Sequence, residues 1–167
     1  MSAEPQLAVV SVDPEGPPLL VGILMGSASD METMNAAANE LEKRGIGHEV
    51  RVLSAHRQPD EVADYARNAR SRGLRVLIAG AGLSAALPGV VAAHTDLPVI
   101  GVPLSSRLSA AGGLDAILSV LQMPPGVPVA AVGLDNARNA GVLAARIIDS
   151  GGGRFRSVDR SGASSPA

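Results

Sequence analysis

The sequence predicts an α/β protein in which a five-stranded parallel sheet is covered by helices on both faces. Two observations carry the prediction. Short apolar runs alternate along the chain with longer stretches whose apolar residues recur at helical spacing. The runs are apolar throughout, as strands buried on both faces must be, and do not alternate apolar with polar. No internal repeat interrupts this order.

The elements follow in sequence. PLLVGILMG (18–26) ends in glycine and is too short for a helix, so it reads as the first strand. In METMNAAANELEKRG, Met31, Met34, Ala38 and Leu41 fall on one helical face, with Asp30 as the expected cap and Gly45 as the stop. HEVRVL (48–53) reads as the second strand. Pro59 suits the first turn of the next helix, whose inner face is Val62, Ala63, Ala66 and Ala69. RVLIAG (75–80) and PVIGVP (98–103) are the third and fourth strands, with a short helix in SAALPGVVAAHT between them. GGLDAILSVLQM is a helix, VPVAAVGL (127–134) the fifth strand, and NARNAGVLAARIID the last helix. Residues 1–18 are rich in Pro, Glu, Ser and Gly and read as a flexible arm. Residues 19–150 read as a single domain, and the glycine- and serine-rich residues 151–167 as a flexible tail.

Composition narrows the function. Aromatic residues make up 1% of the chain against 46% hydrophobic, so the core is aliphatic and no aromatic platform exists for stacking bases. A formal charge of −2 leaves no broad cationic field for a phosphate backbone, so nucleic acid is not an expected partner. The absence of cysteine excludes disulfides, thiolate catalysis and cysteine-ligated zinc, and fits a reducing cytoplasm. The first residues, acidic and proline-bearing, do not read as a signal peptide, and no apolar run is long enough for a membrane span.

In open parallel sheets ligands bind beyond the carboxyl ends of the strands, where the strand order reverses. The segments after the first three strands are GSASD, SAHRQP and GAGLSAALPG, each small, polar or glycine-rich. In the first, Gly26 admits a ligand to the backbone, the following helix start offers N–H groups, and Ser27, Ser29 and Asp30 offer hydroxyls and a carboxylate. By itself this segment reads rather as helix capping, since it is not a Walker or dinucleotide glycine motif. In the second, His56 can move protons near neutral pH, and Arg57 can fork onto phosphate or carboxylate. Alone the pair could be a solvated turn; beside two other ligand-friendly loops it reads as a site. Gly80, Gly82 and Gly89 of the third either expose amide donors or permit a tight turn. His48 is expected to begin a strand and His94 to end a helix, and three scattered histidines give no metal-ligand spacing.

Taken together and in order, MGSASD, SAHRQPD, IAGAG, LPGVVAAHT, PVIGVP, LSVLQMPPGVPVA and NAGVLAARI resemble the PurE family of purine biosynthesis, over about Val21 to Ile148. The resemblance implies a flavodoxin-like three-layer αβα sandwich, usually assembled as a homo-octamer in the cytoplasm. It also implies a mutase that converts N5-carboxyaminoimidazole ribonucleotide into its 4-carboxy isomer through bound aminoimidazole ribonucleotide and CO2, with no cofactor and no metal. His56 matches the general acid/base of the family. Ser27, Ser29, Asp30, Ser54 and Arg57 match ribonucleotide contacts, and Gly80, Gly82, Ser84 and Leu87 match the third substrate-binding loop.

There is one departure of consequence. Where the mutase branch reads GAGGAAHLPG, this chain reads GAGLSAALPG, so Ala86 stands in place of a second histidine. The branch that carboxylates aminoimidazole ribonucleotide directly also lacks that histidine, but usually has lysine where this chain keeps Arg57. Gln58 replaces the usual threonine, and SSRLSAAGG is slightly longer than its counterpart. Direct carboxylation or decarboxylation, a relative recruited to another heterocycle, and a non-enzymatic nucleotide-binding module therefore stay open as alternatives.

Overall fold

The computed structural model describes residues 17–151; the arm and tail expected at the two ends lie almost wholly outside them. The strands are β1 (Leu19–Met25), β2 (Gly47–Val52), β3 (Val76–Gly82), β4 (Val99–Leu104) and β5 (Ala130–Ala131). The helices are α1 (Met31–Lys43), α2 (Pro59–Asn68), α3 (Ala86–Ala93), α4 (Leu114–Leu121) and α5 (Ala137–Ser150). The five strands form one parallel sheet in the order β2-β1-β3-β4-β5, the flavodoxin-like arrangement.

The central strands β1, β3 and β4 send side chains alternately to two cores. Val21, Ile23 and Met25 of β1 pack with Met34, Ala37 and Leu41 of α1 and with Ala140, Ala144 and Ile148 of α5. Leu24 of the same strand joins the opposite core with Val62 and Ala66 of α2, Leu87 and Val91 of α3, and Ala116 and Val120 of α4. The chain therefore has three layers, with α1 and α5 on one face and α2, α3 and α4 on the other. Because β1 feeds α1 and β3 feeds α3, the loops after β1 and β3 diverge to opposite faces. A crevice opens between them at the carboxyl edge of the sheet.

Gly45 stops α1 as expected, at φ +66°, with its N–H on the Glu42 carbonyl and the Ile46 N–H on that of Leu41. Two expectations change. The fifth strand, expected over 127–134, pairs only at Ala130–Ala131 with Ile100 and Gly101. Pro124, Pro125 and Pro128 have no N–H to give a ladder, so this edge enters the sheet late. Helix α4 starts two residues later than its expected segment, because Ala111, Gly112 and Gly113 turn at positive φ before it.

Two buried glutamates tie elements together. Glu40, 3% exposed, accepts from Arg44, the residue after its own helix, at 2.7 Å and from Arg138 of α5 at 3.1 Å. Glu49, 6% exposed, accepts from the Tyr65 hydroxyl at 2.7 Å and from Arg72 and Arg51. Burial opposes ionisation of both, but these hydrogen bonds and neighbouring charges hold both carboxyls below the usual glutamate value. A carboxyl whose pKa is lower folded than unfolded stabilises the fold above its unfolded value and loses that contribution as pH falls through its folded one. The thermal midpoint is therefore expected to drop steeply below about pH 4. Glu49→Gln should lower the midpoint at neutral pH and flatten its acid slope, as thermal melts at a series of pH values would show; an unchanged slope would rule out the Glu49 contribution.

Candidate functional site

A cavity of about 490 Å³ occupies the crevice. Its walls come from the ends of four strands: Gly26, Ser27, Ser29 and Asp30 after β1, Ser54 to Arg57 after β2, residues around Gly82 to Leu87 after β3, and Leu104 to Ser106 with Leu108 after β4.

The first wall is a short 3-10 turn, Ala28–Asp30, that leads into α1. Ser27 Oγ accepts from the Ser29 N–H at 3.2 Å and from the Ser29 hydroxyl at 2.8 Å, while Asp30 Oδ2 accepts from the Ser27 N–H at 3.1 Å. Asp30 thus does not cap α1 with its side chain, as its position suggested. The extra turn moves the free donors back to Ser27–Ser29, and the carboxylate closes a reciprocal capping box there. Burial pushes the Asp30 carboxyl above its usual value, against the opposing pull of Ser27, Ser29 and Arg57. The result is a cluster of two hydroxyls and one carboxylate held in place at the positive end of a helix.

The second wall is a tight turn in which the N–H groups of Arg57 and Gln58 both donate to the Ser54 carbonyl, at 3.3 and 2.8 Å. Pro59 then opens α2 directly, which fixes how far the turn can travel. The turn leaves Ser54 buried and puts His56 and Arg57, both exposed, on the cavity wall. Arg57 Nη2 donates to the Gly26 carbonyl at 2.8 Å, so the guanidinium bridges the first and second walls. The guanidinium beside serine hydroxyls and a helix start gathers the donors that an anion needs, and the imidazole lies next to them on the cavity wall.

The third wall holds Gly82, Leu83, Ser84, Ala86 and Leu87, and Ala86 sits at the first residue of α3. Of the residues expected from sequence, Ser27, Ser29, Asp30, Ser54, His56, Arg57, Gly82, Ser84 and Leu87 share this one cavity. Gly80 does not line it. Its carbonyl accepts the Gly26 N–H at 3.3 Å, and a side chain there would strike Met34 and come within 3.2 Å of Leu104. It is small for packing, not for a ligand. The fourth wall lies outside the residues expected from sequence, although SSRLSAAGG is a small, polar loop after a strand, like the other three. Among the described residues, no three His, Asp or Glu side chains gather as a metal-ligand set.

A family model described as AIR carboxylase matches residues 20–157. The chain belongs to the PurE, or AIR carboxylase, family. Relatives in this family include the N5-carboxyaminoimidazole ribonucleotide mutase of Pyrococcus horikoshii, 52% identical over 84% of this chain and 77% of that protein. The enzyme of the same name from Mycobacterium leprae is 57% identical over 78% of this chain and 75% of its own length. The crystal structure of Treponema denticola PurE superposes with a TM-score of 0.70 at 37% identity, covering 78% of this chain and 80% of that one. Within the PurE fold, the cavity at the strand-order reversal is where this chain gathers its polar and titratable loop residues.

Proposed function

We propose that the chain is an N5-carboxyaminoimidazole ribonucleotide mutase of purine biosynthesis. The observation that carries the reading is the shared lining of one cavity by Ser27, Ser29, Asp30, Ser54, His56 and Arg57. The names of the relatives point the same way. In this reading Arg57 and the serines hold the phosphate, and Asp30 holds the ribose hydroxyls. The N–CO2 bond breaks and leaves its electron pair on nitrogen, which takes a proton. The ring carbon then attacks the freed CO2 and gives up its own proton. His56 is the general acid/base that moves protons between carbon and nitrogen. Atoms balance within the substrate, so the scheme needs no co-reactant, and the resemblance to the family implies no metal and no cofactor.

Assembly and location belong to the same proposal. Leu114, Leu118 and Leu121 form an exposed stripe on α4, next to the apolar segment that leads into β5. That surface supports association with copies of the same chain, and the resemblance to the family supplies the count of eight. Among the described residues no helix is long and apolar enough to cross a membrane; a cytoplasmic location is part of the proposal.

Ala86 supports a second reading, direct carboxylation or decarboxylation of the aminoimidazole ribonucleotide, because it puts a methyl group where the mutase branch has an imidazole. Turnover assays with the N5-carboxylated and uncarboxylated ribonucleotides, with and without bicarbonate, separate the two. Isomerisation independent of bicarbonate supports the mutase; bicarbonate-dependent turnover of the uncarboxylated compound supports the carboxylase. On the mutase reading a polar hold on the migrating carboxylate is missing, so Ala86→His should raise isomerisation or reduce CO2 release, with little change in ribonucleotide affinity. Impaired isomerisation in Ala86→His, with no leakage from the wild type, would contradict this.

A further inference from the structure

The fourth wall of the cavity contributes two serines, Ser105 and Ser106. Their hydroxyls differ in what they can offer a ligand. The Ser106 and Ser109 hydroxyls lie 3.3 Å apart, where either can donate, and the Ser106 oxygen also accepts the Leu108 N–H at 3.2 Å. The Ser105 hydroxyl has no such choice. It donates to Asp135 Oδ2 at 2.5 Å, while the Ser105 N–H donates to Oδ1 at 2.8 Å. A carboxylate only accepts, so the serine proton is committed to Asp135 and the serine oxygen is left as an acceptor.

The backbone holds Asp135 in that place from both sides. Asp135 sits at φ +54°, in the left-handed region that aspartate and asparagine tolerate better than most residues. Its N–H donates to the carbonyl of Pro103, near the end of β4, at 2.9 Å. The next residue, Asn136, caps α5 by accepting the Asn139 N–H at 3.2 Å. The carboxylate is thus fixed between the end of one strand and the first turn of a helix, with each of its oxygens on Ser105. A hydroxyl that donates to an anion is polarised by it, which makes its oxygen the better acceptor.

We propose that Ser105, oriented by Asp135, accepts the exocyclic N–H of the substrate's imidazole ring and so selects ribonucleotides whose ring carries an amino group. The inference rests on the mutase reading. A carboxylated aminoimidazole ribonucleotide has few donors at neutral pH: its phosphate and carboxylate accept, and the ribose hydroxyls and the exocyclic nitrogen donate. In that reading Asp30 on the first wall takes the ribose hydroxyls, which leaves the nitrogen for an acceptor elsewhere in the cavity. Ser105 supplies one. The nitrogen keeps an N–H in both the N5-carboxylated and the 4-carboxy compound, so the contact serves substrate and product alike. Asp135 acts through Ser105 and is a positioning residue.

The test uses the full chain, 5-aminoimidazole ribonucleotide, and the same ribonucleotide without its amino group. Calorimetry gives the affinity for each, and their ratio is the preference for the amine. Asp135→Asn is the decisive variant, because it keeps the size of the side chain and its tolerance of positive φ. The new amide's oxygen can still accept the Ser105 N–H, but its NH2 must donate to the hydroxyl, which turns the serine proton toward the cavity. The wild type should prefer the amino compound about fivefold, the size of one neutral hydrogen bond, and Asp135→Asn and Ser105→Ala should each bring the ratio to about one. Ser105→Ala removes only an exposed hydroxyl and gives the same comparison if Asp135→Asn melts early. An unchanged ratio in either folded variant would overturn the inference while leaving the mutase reading intact. Equal loss of affinity for both compounds would also overturn it, and would leave the pair a structural tie. So would a wild type that binds the two compounds equally. A wild type that binds neither ribonucleotide would refute the mutase reading, and the inference with it.

Discussion

His56→Asn is expected to lower turnover of N5-carboxyaminoimidazole ribonucleotide by about a hundredfold to ten-thousandfold, the usual contribution of a general acid/base. The turn that carries His56 is set by its neighbours: the Ser54 carbonyl takes the Arg57 and Gln58 N–H groups, and Pro59 starts α2. The imidazole itself is exposed on the cavity wall, so replacing it should disturb neither the turn nor the core. Arg57 keeps its bond to Gly26, and the serines keep theirs to one another. Ribonucleotide binding should therefore survive while proton transfer does not. Kinetics and calorimetric binding on the same folded variant check this, and near-wild-type turnover would remove His56 from its catalytic assignment.

Gly141→Val should destabilise the protein by about 1–3 kcal/mol, the usual cost of overpacking a close-fitted interior. Gly141 lies in the middle of α5, where helix propensity alone favours alanine over glycine by about 1 kcal/mol. Packing decides the other way. A Cβ at this position would stand 2.9 Å from the Ala37 carbonyl oxygen and 3.0 Å from the Glu40 Cβ, both on α1. A backbone carbonyl inside a helix cannot step aside, so the two helices must part, and the Glu40–Arg138 ion pair between them must stretch. The thermal midpoint should fall by about 2–12 °C for a chain of this size. A variant that melts at or above the wild-type temperature would show that α1 and α5 have slack at this contact.

The site was largely legible because its parts are local. A strand that ends in glycine, a histidine–arginine pair before a helix-starting proline, and serines ahead of a helix are each visible within a few residues. Gly80 shows where that reading fails. It shares a sheet face with Gly82, two residues on, yet it lies within β3 under Met34 and Leu104, while Gly82 is the last residue of the strand and reaches the cavity. Asp30 shows another failure, since a carboxylate before a helix looks like a cap whether or not a 3-10 turn intervenes.

By itself the sequence determined the alternation of strands and helices, the aliphatic cores and three of the four cavity walls, because burial on both faces and helical periodicity are written in runs of neighbouring residues. Only the tertiary structure decided that the loop after β4 joins the site and that Asp135, thirty residues from Ser105, ties it down. It alone placed Leu83 and Leu108 on the walls of the same cavity. These depend on which segments the parallel sheet brings side by side, and such pairing between distant residues leaves no mark in the local pattern of either.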